Sequence, residues 1–196
     1  MIREQCDHFY ADNDAFTKIL GFAAAFARRN PKSTVLVGAK AHYPEVEYGW
    51  IEPGVTIADE TSTPLFSVKR FWEKPGIATA EALLERGCLW NTFVTVGYAS
   101  TLLEMMSSQA PDVTSSIAAG IAGNDLESVY REIRSVDFSR EILAQLPHRL
   151  LAVCDVDSGW ADLGTPKRVV ETLSRNGIKA PWLRDFNLPR SAAPCE

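Results

Sequence analysis

Four short β-branched apolar runs, set between segments of helical pattern, constrain this chain more than any other feature. Ser33–Ala39 (STVLVGA), Leu65–Trp72, Trp90–Gly97 (WNTFVTVG) and Leu150–Val156 (LLAVCDV) read as strands. The first is apolar nearly throughout, as in a strand covered on both faces. The second alternates, with Phe66, Val68 and Trp72 on one side and Lys69 and Phe71 on the other. Tyr48–Glu52 is a shorter aromatic segment stopped by Pro53-Gly54, and the threonine-rich residues 55–64 suit a loop or a hairpin.

The segments between the runs carry helix signals. Residues 14–29 have Asp12, Asn13 and Asp14 as available caps and end at Asn30-Pro31, and residues 78–86 are closed by Gly87. Further helices are expected at roughly 98–109, 113–122, 124–134 and 139–146, the last stopped by Pro147. A final helix opens with Thr165 as cap and Pro166 in first position, and Gly177 lies beyond its end. Strands alternating with helices predict an α/β domain over residues 1–175 with a largely parallel or mixed sheet. An irregular tail is expected over 176–196.

At 196 residues the chain is long enough to bury a core, and its 46% hydrophobic and 23% charged content excludes a disordered or low-complexity polymer. Its 20 basic against 25 acidic residues are scattered, with no cationic stripe, which argues against a nucleic-acid polymer as partner. Cys6, Cys88, Cys154 and Cys195 share no short spacing, so neither a zinc knuckle nor a disulfide framework is indicated. The longest apolar stretch, Phe22–Ala27, is far short of the roughly 18 residues that span a membrane. With no secretory signal pattern at the N-terminus, the expected setting is the cytoplasm.

In α/β sheets ligands collect outside the carboxyl ends of the strands. The polar clusters here, Asp7-His8, Glu73-Lys74, Trp90-Asn91 and Asp157–Asp162, all fall at strand boundaries. Asp7 and Asp162 suit a magnesium pair, since that ion takes one or two carboxylates together with substrate phosphates. Their spacing equally allows a cap and a turn. Lys74 suits a phosphate and Glu73 a pair of hydroxyls, or the two form a surface ion pair. Asn91 both donates and accepts, as a sugar reader must, or simply opens a strand. His8, His42 and His148 have no metal spacing, and no nucleophile elbow is present.

In order along the chain stand Cys6-Asp7-His8-Phe9, Glu47 to Gly54 (EYGWIEPG), Phe71-Trp72-Glu73-Lys74-Pro75, Leu89-Trp90-Asn91-Thr92, Ser135-Val136-Asp137-Phe138 and Gly159 to Gly164 (GWADLG). This series resembles the successive motifs of the sugar-1-phosphate nucleotidyltransferases, with mannose-1-phosphate guanylyltransferases as the nearest branch, from about Cys6 to Leu173. The resemblance implies a mixed, mainly parallel sheet flanked by helices and a Mg²⁺-dependent reaction of mannose 1-phosphate with GTP, giving GDP-mannose and pyrophosphate. It implies Asp7 and Asp162 as metal ligands, Lys74 at the sugar phosphate, and Glu73 and Asn91 at sugar hydroxyls. Tyr48 and Gly49 would lie along the sugar, with Asp137 nearby. The implied partners are these small molecules, and a homo-oligomer is left open.

Two departures stand out. Cys6 occupies a place the family usually gives to a small residue. The family's glycine-rich loop ending in Thr-Arg, which cradles the triphosphate, has no counterpart in this sequence. Roughly a hundred residues, about three strand-helix-strand units, are expected to be missing in front of Asp7's motif, leaving an exposed sheet edge. No downstream isomerase domain is expected in these residues. The alternative readings are a remnant that at most binds sugar phosphate, and a pyrophosphorylase for another nucleotide sugar.

Overall fold

The computed structural model describes residues 1–3, 7–60 and 63–185. Cys6 and most of the expected tail lie outside the described residues. Two very short strands, β1 (Ile2–Arg3) and β2 (His8–Phe9), precede helix α1 (Asn13–Arg29). Asp12 caps α1 by accepting from the Ala15 N–H at 2.9 Å, while Arg28 and Arg29 sit in its last turn, where the helix dipole favours cations. Its buried residues Ile19, Ala23, Phe26 and Ala27 recur at helical spacing and pack on one face of the sheet.

Strand β3 (Thr34–Lys40) is buried along nearly its whole length. Val35 and Val37 face α1, and Leu36 joins a second cluster on the opposite face with Met105, Val113, Ile142 and Leu143. Met105 comes from α3 (Ala99–Gln109) and Val113 from α4 (Pro111–Gly123), which α5 (Leu126–Glu132) follows. The expected helix at 139–146 is instead a wide π-turn, Phe138–Leu143, whose Ala144 N–H returns to the Ser139 carbonyl at 2.9 Å. Asp137 caps it and Pro147, which cannot donate, starts a separate 3₁₀ turn. No helix among the described residues is long and apolar enough to cross a membrane.

The sheet order is β1-β6-β3-β7-β5-β4, where β4 is Gly49–Glu60, β5 Thr63–Glu73, β6 Leu89–Val96 and β7 Leu150–Asp155. The sheet is mixed and flanked by helices, as expected, but it is not mainly parallel. Among the described pairings only β3–β7 is parallel. The cause lies in the connections: β4 and β5 form one long hairpin, and hairpin-joined strands must run antiparallel. Residues 55–60 and 63–64 therefore lie in paired antiparallel strands. The start of β4 also pairs with β6, Trp50 opposite Trp90, while the start of β5 pairs with β7.

The hairpin's register slips three times between Glu52 and Ala58, and the simple alternation read for β5 is lost. Leu65, Val68 and Phe71 are its buried residues, whereas Phe66 and Trp72 are only half-buried. Glu52 is buried at the hairpin's base, accepting from Lys69 Nζ at 2.8 Å, Trp72 Nε1 at 3.2 Å and Arg86 Nη1 at 3.4 Å. The Lys69 hydrogen bond above all holds its carboxyl below the usual value. A carboxyl lowered on folding stabilises the chain above its unfolded pKa, and that gain disappears as pH falls through the folded value. Glu52→Gln is accordingly expected to cost about 1–2 kcal/mol near neutrality. Urea titrations should show the gap closing below pH 4.5, the ordinary value of this group.

Candidate active site

The one parallel pair positions the site. Because Ala39 lies beside Asp155, the segments that follow β3 and β7 leave from the same end of the sheet. The β7 segment leads through Gly159 to strand β8 (Ala161–Asp162), which pairs with β2 so that His8 stands opposite Asp162. Leu163 N–H donates to the Asp7 carbonyl at 2.8 Å. Asp7 and Asp162, from opposite ends of the chain, are thereby brought together. A Cβ on Gly164 would lie 2.8 Å from Asp162 Oδ1 and 3.7 Å from Asp7 Oδ2, so a bare backbone there lets both carboxylates approach. Two hard anionic oxygens suit Mg²⁺, which keeps water or substrate oxygens in its remaining positions. No group of three or more metal-ligating side chains occurs among the described residues.

Asp162 Oδ1 also accepts from Gly164 N at 2.6 Å and from Arg168 Nη1 at 3.2 Å. Arg168 reaches Glu45 Oε2 at 3.1 Å with its other nitrogen, and its guanidinium stands 4.5 Å from the Tyr48 ring centroid. Arg168 belongs to the first turn of α6 (Pro166–Arg175), which Thr165 caps as expected. A cation there opposes the helix dipole and needs compensating acids. Neither Arg168 nor Glu45 stands out in the sequence; the misplaced cation is the available signal.

Tyr48 joins the two halves of the site. Its phenol is pushed well above the ordinary value, first by burial and then by Tyr43 and Asp162, so it stays protonated. Its ring meets Trp90 and Trp160 edge-on at 5.4 and 5.5 Å. Its carbonyl receives the Lys74 N–H at 3.2 Å. Lys74 is exposed and holds a left-handed φ of 46°, a conformation that costs on the order of 1 kcal/mol in a non-glycine residue and clusters at functional sites.

Gly49, Glu73 and Asn91 come from three adjacent strands. A Cβ at Gly49 would stand 2.9 Å from Glu73 Oε2 and 3.3 Å from Asn91 Cβ. Glu73 Oε2 and Asn91 Nδ2 are buried without a hydrogen bond of good geometry, the Ser139 hydroxyl lying only near enough to the Glu73 carboxyl to oppose the rise of its pKa; one is an acceptor and one a donor, and such groups call for an explanation. Burial chiefly, and then the Asp137 carboxylate, raises the Glu73 carboxyl above its ordinary value. Asp137 is near enough to Glu73 for its charge to be felt there, while its own Oδ1 caps the π-turn by accepting from Arg140 N–H at 3.0 Å. Gly49→Ala is expected to push Glu73 and Asn91 apart and to weaken at least tenfold the binding of any ligand seated between them, with mannose 1-phosphate as the probe in calorimetric titration.

The fold and site define an α/β protein with a mixed sheet, a pair of neighbouring carboxylates, Asp7 and Asp162, and two buried polar groups, Glu73 and Asn91, beside Gly49. The profile of the nucleotidyl transferase family matches residues 5–176, and the chain belongs to that family. It is 27% identical over 166 residues to a mannose-1-phosphate guanylyltransferase of Sinorhizobium fredii, covering 81% of this chain and 31% of that protein. The Escherichia coli K12 protein of the same name is 27% identical over 170 residues, with 81% and 34% covered. The xanthan biosynthesis protein XanB of Xanthomonas campestris is 26% identical over 178 residues, with 87% and 36% covered. The chain thus spans about a third of the length of these relatives. A crystal structure titled as a mannose-1-phosphate geranyltransferase from Thermus thermophilus superposes with TM-score 0.74 at 24% identity, covering 92% of this chain and 50% of that one. At that identity the likeness speaks to the fold alone.

Proposed function

We propose that this chain forms the sugar-phosphate and metal-binding side of a nucleotidyltransferase that makes GDP-mannose and pyrophosphate from mannose 1-phosphate and GTP. The observation that carries the reading is the buried pair, Glu73 Oε2 and Asn91 Nδ2, flanking Gly49. A sugar diol supplies both the donor and the acceptor that this pair lacks. The names of the relatives support mannose and guanine as the sugar and the base.

Asp7 and Asp162 would hold Mg²⁺, which when bound offsets the negative charge of the phosphates. Lys74 meets the sugar phosphate and reduces its repulsion from the nucleotide. Glu73 and Asn91 bond sugar hydroxyls and fix the sugar's orientation, with the Tyr48–Gly49 backbone lying along it. A phosphate oxygen of the sugar then attacks the α-phosphorus of GTP and pyrophosphate leaves. Positioning and charge carry such a reaction, and no protein nucleophile is needed. The 196 residues contain no glycine-rich loop ending in Thr-Arg. The purified 196-residue polypeptide by itself is therefore expected to release no pyrophosphate from GTP.

The test is calorimetric titration of the chain with mannose 1-phosphate, with glucose 1-phosphate for comparison, on wild type and Glu73→Gln. A carboxyl raised on folding loses stability as pH rises through its folded value, so the amide is expected to melt higher at neutral pH. It should at the same time bind the sugar phosphate at least tenfold more weakly. Equal binding by both proteins, or none by wild type, would overturn the assignment.

A further inference from the structure

The proposed reaction leaves Arg168 without a part, yet it is a cation firmly placed in the site. Its side chain is 16% exposed and is held by two carboxylates, Asp162 at 3.2 Å and Glu45 at 3.1 Å. It stands in the first helical turn, where the dipole disfavours a cation, so its position depends on those two acids.

We propose that Arg168 is the resident counter-ion of the metal-binding carboxylate: it neutralises Asp162 until a divalent cation enters, competes with that cation, and relays the exchange to the sugar-side segment through Tyr48. The inference rests on Asp7 and Asp162 as the cation ligands. Two cations on one carboxylate repel each other. At 16% and 20% side-chain exposure, Arg168 and Asp162 are poorly screened by solvent, so the repulsion is felt in the cation's affinity. When the guanidinium yields Asp162, its remaining contacts are Glu45 and the Tyr48 ring, which lies against Trp90 and Trp160. Tyr48 directly precedes Gly49, the floor of the Glu73–Asn91 pair. Cation and sugar-phosphate affinities are therefore linked, and the linkage is reciprocal. Arg168 is a positioning residue, acting through Asp162 and Tyr48.

The experiment measures Mn²⁺ binding to the full chain from the loss of its free-ion paramagnetic signal, alongside tryptophan emission. Proteins compared are wild type, Arg168→Met, which keeps the apolar stem, Arg168→Lys, which keeps the charge, and Asp162→Asn, which removes the charge of the carboxylate. Arg168→Met is expected to bind Mn²⁺ about fivefold or more tightly than wild type, and Arg168→Lys within twofold of it. Mn²⁺ should shift tryptophan emission in wild type and leave it unchanged in Arg168→Met. Equal or weaker Mn²⁺ binding by Arg168→Met, with wild-type binding abolished by Asp162→Asn, overturns the counter-ion role and leaves the metal ligands standing. Failure of every one of these proteins to bind Mn²⁺ overturns the metal assignment and the inference together.

Discussion

Replacing Trp50 by alanine is expected to remove about 4 kcal/mol of stability, the usual scale for deleting a fully buried tryptophan. Trp50 has no exposed surface. It sits where three strands meet, opposite Trp72 on β5 and Trp90 on β6. Its side chain packs with Ala80 and Leu83 of α2 (Ile77–Glu85), and its indole N–H donates to the Glu45 carbonyl at 2.8 Å. Truncation thus leaves a large cavity and an unpaired carbonyl on the segment that carries Glu45, the partner of Arg168. Against a typical total of about 5–15 kcal/mol, the loss lowers the melting temperature by roughly 10 °C. Urea unfolding followed by circular dichroism measures it. A loss below about 1 kcal/mol, far under the usual scale for such a site, would mean that the three-strand junction is not packed as described.

The parts of this fold legible in the sequence are those whose signal is local. Asp12, the alanine-rich interior and Asn30 delimit α1 within a residue or two, because caps and helical periodicity act over a single turn. The apolar runs at β3 and β7 are equally plain, since a strand covered on both faces needs no alternation. Distant pairing is not legible. β2 and β8 are two residues each and exist only because they meet. Spacing alone leaves Asp7 a cap as readily as a ligand; the order of motifs joins it to Asp162. Sheet direction misleads for a similar reason, as strands alternating with helices suggest crossovers while β4 and β5 pair antiparallel with each other. Glu52 and Arg168 escape notice because charged residues are ordinarily solvated. Their burial depends on partners such as Lys69, Arg86, Glu45 and Asp162, which no local pattern connects.

On the function proposed above, and in a protein that also supplies the triphosphate loop, Asp7→Asn is expected to lower turnover by on the order of 10²-fold or more, the scale of losing one preorganised electrostatic element. Asp7 is the more telling of the two aspartates. Asp162 is already neutralised in part by Arg168 and hydrogen-bonded to Gly164, whereas Asp7 forms no ion pair among the described residues. Asp7 is exposed, and its backbone carbonyl, which the substitution leaves in place, makes the hydrogen bond to Leu163. Asparagine keeps the volume and one oxygen while removing the charge, so the fold is preserved and the loss falls on the reaction. Steady-state pyrophosphate release at saturating mannose 1-phosphate and GTP, with circular dichroism to confirm an unchanged melt, separates the two effects. The loss should fall mainly on kcat, because the charge of the carboxylate pair matters most when the phosphates of both substrates are drawn together. Wild-type turnover in Asp7→Asn would remove Asp7 from the metal pair and leave Asp162, already engaged with Arg168, unable to hold the cation alone.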